Sequence, residues 1–387
     1  MPEPIYLDHA ATSPVRPEVL EAMLPFFGPR FGNPSSTHRW GREARVALDE
    51  ARERLARALG AQADEICFTS GGTESDNLAV LGAWRALRDR RPAVLSSPIE
   101  HKAVLGAVHQ VEAEGGTARM AQVDATGTVL ADPFASLVAD DTAVCSVMWV
   151  NNEIGSVQDI PTLTVAAKSR GALFHSDAVQ ALGKVAIDLR AVPVDYLSVS
   201  GHKVGAPKGI GAMFIRRGAP LVPLQFGGTQ DRGRRPGTEN LAMAVGFARA
   251  VELASEERDA EWRRLEGLRD TLEAALLARI PDAVIHGRRS RRAPHILNIS
   301  VPGTNSESML MALDLQGVAC SAGSACQSGS VDPSHVLAAI GVSHDLASAS
   351  VRMSLGALTT AEHVSRVAEL FPALIAKARR LSGLVSG

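Results

Sequence analysis

From residue 41 to about 280, short continuous apolar runs alternate with stretches in which apolar positions recur every three or four residues. The runs "AVLSS", "TAVCSVMWV", "ALFHSDA", "DYLSVS" and "AMFIRR" predict strands. Being continuous rather than alternating, they suit a parallel sheet covered on both faces. "LDEARERLARALG" puts Leu48, Ala51, Leu55 and Leu59 at helical spacing, and Gly60 marks its end. Strands separated by helical segments imply βαβ units and an open, doubly wound sheet. From Trp262 the pattern changes. Trp262, Leu265, Leu268, Leu272, Leu276 and Ile280 form one stripe, predicting a core-facing helix that links two domains. "HILNISV", a helix from about Ser306, "GVACSAGSAC" and "SVRMSLG" then predict an α+β arrangement. The expected fold is α/β. A large domain (16–261) carries a mostly parallel, doubly wound sheet covered by helices. A smaller α+β domain joins residues 1–15 to 262–387.

A chain of 387 residues exceeds what one hydrophobic core usually takes, which agrees with two domains. The formal net charge of −2 gives no global pull towards nucleic acid or an anionic membrane. Of the local basic runs, "GRRSRR" (287–292) reads as a solvated loop. "DRGRRPG" (231–237) stays open until the chemistry is read. Four cysteines are too few for a disulfide framework, and no CxxC pair suggests structural zinc. The start "MPEPIYLDHAATSPV" lacks the pattern of a signal peptide, and no apolar run reaches the about 18 residues of a membrane span. A reducing cytoplasm is the expected location.

Ligands of open parallel sheets bind beyond the carboxyl ends of the strands. Polar clusters follow the predicted strands at five such places. In "FTSGGTESDNLAV", Gly71, Gly72 and Thr73 lead from a strand into a helix. Glycines let a ligand approach the backbone, and a helix N-terminus offers free N–H groups to an anion. The stretch is either a phosphate cradle or a capped helix after a tight turn; it lacks the lysine of a P-loop. The other clusters hold His101, Asn151 with Asn152, Asp177 with Gln180, and Ser200 with His202 and Lys203.

A lysine at the end of a buried strand is costly unless it has a task. Pyridoxal phosphate would supply one. Its aldehyde bonds to a lysine amine, its ring nitrogen needs a carboxylate, and its phosphate needs N–H groups and hydroxyls. Asp177 precedes Lys203 by 26 residues, room for a short helix and a strand. Lys208, in a Gly/Pro turn, reads as a surface lysine.

The landmarks "YLDHAATSPV", "FGNPSSTHRWG", "FTSGGTESDN", "EHKAV", "VNNEIGSVQDI", "DAVQALGK", "SGHKVGAPKGIGA", "RRPGTEN", "SAGSACQSG" and "VRMSLG" run nearly end to end. Together and in this order, they resemble cysteine desulfurases of the NifS/IscS type. These belong to the class V aminotransferase group of fold type I pyridoxal-phosphate enzymes. The resemblance implies Lys203 as the Schiff-base lysine and Asp177 as partner of the pyridinium nitrogen. It places Gln180 and Asn152 at the ring's phenolic oxygen and His101 on the ring face, able to shuttle protons. It gives Gly72, Thr73, Ser200 and His202 to the phosphate. It has Thr238 reach the phosphate across a homodimer interface, so active sites are shared. Arg352 matches the clamp on the substrate carboxylate, with Asn33 as a weaker candidate whose structural alternative is a turn. The family's "LDNAATT" start reads here "LDHAATS", with His9 in place of asparagine.

The resemblance further implies that Cys326, on a mobile loop (about 320–333), takes sulfur from L-cysteine as a persulfide and leaves L-alanine. The sulfur then passes to an acceptor or iron–sulfur scaffold protein, for cluster assembly or tRNA thiolation. Cys320 reads as a core thiol, and Cys67 and Cys145 as structural. No metal site is expected, apart from Cys326 as a candidate transient iron–sulfur ligand. The rival readings are a selenocysteine lyase, an ordinary aminotransferase, an inactive sulfur-assembly scaffold and a nucleotide-binding module.

Overall fold

The computed structural model describes residues 3–322 and 333–381. Strand β1 (Ile5–Tyr6) precedes the main sheet. That sheet comprises β2 (Ile66–Thr69), β3 (Ala93–Ser96), β4 (Thr117–Met120), β5 (Thr142–Ser146), β6 (Leu173–Asp177), β7 (Tyr196–Ser200) and β8 (Gly211–Ile215). Its order is β2-β8-β7-β6-β5-β3-β4. All neighbours run parallel except β8, which is antiparallel to β2 and to β7. This is the expected mostly parallel sheet. The smaller α+β part has β9 (Val284–His286), β10 (Ile296–Ser300) and β12 (Ser350–Ser354) in one antiparallel sheet. Beside it β1 pairs with β11 (Val318–Ala319) in parallel.

The helices in chain order are α1 (Pro17–Met23), α2 (Arg39–Leu59), α3 (Gly72–Leu87), α4 (Lys102–Ala113), α5 (Ala131–Leu137), α6 (Ile160–Lys168), α7 (Leu241–Arg279), α8 (Ser306–Asp314), α9 (His335–Ala339), α10 (His344–Ala347) and α11 (Ala361–Leu381). α2 ends at Gly60 as expected. Its φ of 69° lets the N–H reach back to Ala56 and Arg57, a conformation costly for other residues.

Each of the five apolar runs carries a strand, with three differences. The run "TAVCSVMWV" is a strand only to Ser146, because the chain then leaves the sheet and Trp149 hangs from Asp177 by one backbone bond of 2.8 Å. β4 carries no apolar run: it is an edge strand, and all four residues are at least partly exposed. Trp262 starts no element. α7 runs unbroken for 39 residues and changes partners rather than conformation. Leu241, Phe247 and Val251 pack in the core beside the main sheet. Leu265, Leu272 and Leu276 pack with Ile5, Leu297, Met353 and Phe371 in a second core.

"GRRSRR" is not wholly solvated either. Arg288 and Arg291 are exposed, but Arg292 is buried and bonds Glu273 on α7 at 2.5 Å. Among the described residues, no helix is long and apolar enough to cross a membrane.

Candidate active site

The carboxyl ends of the central strands open onto a cavity of about 490 Å³, which the N-terminal segment and β12 close from the other side. Beyond β2, Gly71 adopts φ 155°, open essentially to glycine alone, and serves as N-cap of α3 without any side-chain cap. The first N–H groups of α3 are therefore free for a ligand. A Cβ on Gly72 would lie 2.8 Å from Val179, so this close approach also requires glycine. Facing this turn is Ser200, at the end of β7. It is 1% exposed, and its hydroxyl has no hydrogen-bond partner among the described residues. Thr73 and His202 line the same corner. His202 meets the Thr12 hydroxyl at 3.2 Å, and burial lowers its pKa to about 4, with Lys203 and Lys208 adding to the effect.

Lys203 closes the short 3-10 turn after β7. Its Nζ donates to the carbonyls of Ala10 and Ala11 at 2.6 and 2.7 Å. Burial is the main reason its pKa falls from 10.5 to about 8; Arg352 lowers it further, while Asp177 and Asp8 oppose. Asp177 ends β6, 5% exposed, and accepts the Val179 N–H at 2.9 Å. Burial raises its pKa, against the pull of His101, that N–H and Lys203.

Gln180 donates to Ala10 O at 2.8 Å and accepts from His295 at 3.1 Å. His101 caps α4, its Nδ1 accepting the Ala103 N–H at 3.1 Å, so in the neutral ring Nε2 carries the proton. The side chain opens to the cavity, yet the protein crowded round it lowers its pKa. Asp177 opposes that shift and Lys203 adds to it.

Arg352 reaches the cavity from β12, 4% exposed, donating to Asn152 O at 2.8 Å and to Asp8 at 2.9 Å. Two candidates stand outside the cavity lining of their own chain. Thr238 is exposed in the loop before α7. Asn33 is exposed, and its Oδ1 accepts the Ser35 N–H at 2.9 Å, the turn-forming alternative. Cys326 lies outside the described residues. Cys320 is half-buried against the second core, with burial pushing its thiol up to about 12. Cys67 and Cys145 are buried, and burial raises both thiols.

The sequence reading missed a set of buried carboxyl groups. Asp76 is 1% exposed, with its pKa raised by burial first and the charge of Asp177 second. Polar atoms of Asp76, His101 and Asp177 lie within 4.8 Å of one another. Like charges so close in a dry site disfavour each other, which adds to the rise that burial gives Asp76. Glu100, wholly buried, bonds Ser97 and the Met148 N–H, and burial raises its pKa to about 8. Glu153 bonds Ser334, and His335 holds Glu100 O at 2.9 Å.

The class-V aminotransferase family model matches residues 5–367. The cysteine desulfurase IscS of Dictyoglomus turgidum is 45% identical over 382 residues, covering 99% of this chain and 97% of that protein. The cysteine desulfurase NifS of Azotobacter vinelandii is 44% identical over 384 residues, 99% of this chain and 95% of that one. The chain belongs to the IscS/NifS branch of the class-V aminotransferases. Solved structures agree in fold. A NifS-like protein superposes with a TM-score of 0.91 at 35% identity, covering 97% of this chain and all of that one. SspA in complex with cysteine superposes with a TM-score of 0.80 at 34% identity, covering 91% and 98%.

Proposed function

We propose that this member of the IscS/NifS branch is a pyridoxal-phosphate-dependent cysteine desulfurase. It moves the sulfur of L-cysteine to its own Cys326 and releases L-alanine. The observation that carries the reading is the meeting of Lys203, Asp177, Gly72 and Thr73 in one cavity. The cofactor suits what the site leaves unsatisfied. The buried Ser200 hydroxyl and the uncapped start of α3 suit a phosphate, and Asp177 suits a ring cation. When bound, pyridoxal phosphate supplies an aldehyde for an amine and a protonated ring that accepts electrons.

The chain's own groups do the rest. Gly72, Thr73, Ser200 and His202 hold the phosphate. Asp177 would pair with the ring nitrogen; Gln180 and Asn152 would serve the phenolic oxygen, and His101 the ring face. Lys203, once its amine is free, removes the proton from the substrate Cα. Arg352 binds the substrate carboxylate in place of Asp8. The Cys326 thiolate bonds to the substrate sulfur as the C–S bond breaks, and the carbon keeps the electron pair and takes a proton. In net terms, thiol plus cysteine gives persulfide plus alanine, with no outside oxidant. A thiol on an acceptor protein then takes the sulfur, which requires a compartment where thiols stay reduced.

The protein acts as a homodimer with shared sites. Thr238, exposed and away from its own chain's cavity, supports a reach into the partner's.

The test is product stoichiometry. Holoenzyme given L-cysteine and a reducing thiol forms alanine and sulfide in equal amounts. Formation of a keto acid instead of alanine would overturn the reading.

Two further outcomes follow. Only a deprotonated amine attacks an aldehyde, so cofactor-free protein takes up pyridoxal phosphate faster as pH rises towards the Lys203 pKa of about 8. The rate climbs by up to about tenfold per pH unit below that value and levels off above about pH 9; a flat profile counts against Lys203. Arg352→Lys loses the paired hydrogen bonds to a carboxylate and raises KM for L-cysteine roughly 10-fold to 100-fold, with a smaller change in kcat. Steady-state kinetics read the difference.

A further inference from the structure

A second cavity, of about 580 Å³, lies behind Lys203, between the main sheet's loops, the middle of α7 and the turn after β12. Lys203 lines both cavities. Most charged groups of the second are already matched. Arg16 pairs with Glu257 at 2.7 Å, and Arg264 bonds Glu261 and the carbonyls of Thr359 and Gly356. Three groups are not. Lys184 is half-buried in the lining; its ammonium makes no hydrogen bond or ion pair among the described residues, and the charge of Glu261, already bonded to Arg264, acts on it only from a distance. His9 is 7% exposed with an unpartnered Nε2, and His295 is 1% exposed with an unpartnered Nδ1.

Both rings are fixed. His9 stands edge-on to Tyr6 at 4.9 Å and close over Gly356, where a Cβ would come within 2.3 Å of the ring. The state of His295 follows from its neighbour. Gln180 uses its amide nitrogen on Ala10 O, so its oxygen faces His295 Nε2, which must carry the proton. Burial lowers the pKa of both histidines, which keeps the rings neutral. His295 Nδ1 is thus a buried lone pair that lacks a donor.

A buried polar atom left unmatched is costly, and the three together describe what would match them. An anion suits Lys184, and a donor close to it suits His295 Nδ1. His9 Nε2 takes either role. The remaining walls, among them Trp262, Leu265 and Leu358, are apolar and leave room for a short carbon chain. We propose that this second cavity binds a small carboxylate bearing a hydrogen-bond donor on its α-carbon, an α-hydroxy or α-amino acid. Its carboxylate sits on Lys184 and its donor on His295, and it meets Lys203 from the side away from Asp177.

L-lactate is the probe, because its hydroxyl cannot bond covalently to the cofactor as an amine can. Binding to the holoenzyme is measured by titration calorimetry and by the fluorescence of Trp262, with Trp262→Phe as the control. L-lactate should bind saturably and change the Trp262 signal. Propionate, which lacks the donor, should bind about tenfold more weakly. Lys184→Met should weaken L-lactate at least about tenfold, and Lys184→Gln should act in the same direction. Arg352→Lys should leave its affinity unchanged. No saturation up to about 100 mM would overturn the proposal. So would affinity that survives both Lys184 substitutions but is lost in Arg352→Lys, because the ligand then occupies the first cavity. These readouts do not depend on turnover, so they stand or fall apart from the desulfurase reading.

Discussion

Lys203→Ala lowers alanine formation from L-cysteine by at least about 10³-fold and removes the visible absorbance of covalently held cofactor. Lys102 makes the comparison informative, because it is the other lysine in the cavity lining. Lys102 is exposed at the first position of α4, whereas Lys203 is half-buried and hangs from two backbone carbonyls. Desolvation has prepared Lys203 to be a free amine near neutral pH. The loss in Lys203→Ala is chemical rather than structural. Alanine leaves two carbonyls without one donor at the edge of a cavity where water can replace it. Lys102→Ala should stay within severalfold of the parent rate. Turnover of Lys203→Ala within tenfold of the parent, or equal losses in both variants, would remove Lys203 from the chemistry.

The two levels of the sequence differ in what they disclose. The central strands were legible because burial on both faces forces continuous apolar runs, and the polar residues that end them stand out. Lys203, Asp177, His101 and Ser200 all lie at such ends, so one argument located them. β4 carries no such signal: an edge strand needs no apolar run, and "TARM" reads as a loop. The length of α7 was hidden for another reason. Its apolar stripe serves one core as far as Leu253, with Trp262 packed against it, and another from Leu265, so the periodicity breaks while the helix does not.

Asp76, Glu100 and Glu153 were missed because acidic residues near helix starts and in polar turns normally read as solvated or dipole-compensating. Only the three-dimensional packing shows that their charges are shut in. The one available signal was position: Asp76 and Glu100 sit within the "SGGTESDN" and "EHKAV" clusters already singled out. Lys184 and His9 stood in motifs of the same kind, but nothing in a linear pattern reveals that an ammonium and an imidazole face a common empty space.

Cys326→Ala is expected to bind L-cysteine and to keep the cofactor's spectral response while sulfide and alanine release fall by at least about 10²-fold. The argument is one of access and charge state. Sulfur transfer needs a thiolate near neutral pH. Burial drives Cys67 and Cys145 away from that state, and Cys320, with its thiol pushed up to about 12, is little better. Cys326 lies outside the described residues, but the chain on both sides of that segment borders the cavity, at Ser321 and His335. Cys326 stands five residues after Ser321 in the sequence.

A thiol this close in sequence to the cavity lining is the one expected to meet a substrate there and to pass sulfur to an acceptor. Cys67→Ala, Cys145→Ala and Cys320→Ala should each retain sulfide release, apart from any loss of stability, which a folding-corrected rate removes. Mass spectrometry after one turnover with L-cysteine should place one extra sulfur atom on the peptide that carries Cys326. An extra sulfur on Cys320, or undiminished sulfide release from Cys326→Ala, would break the link between this loop and the reaction.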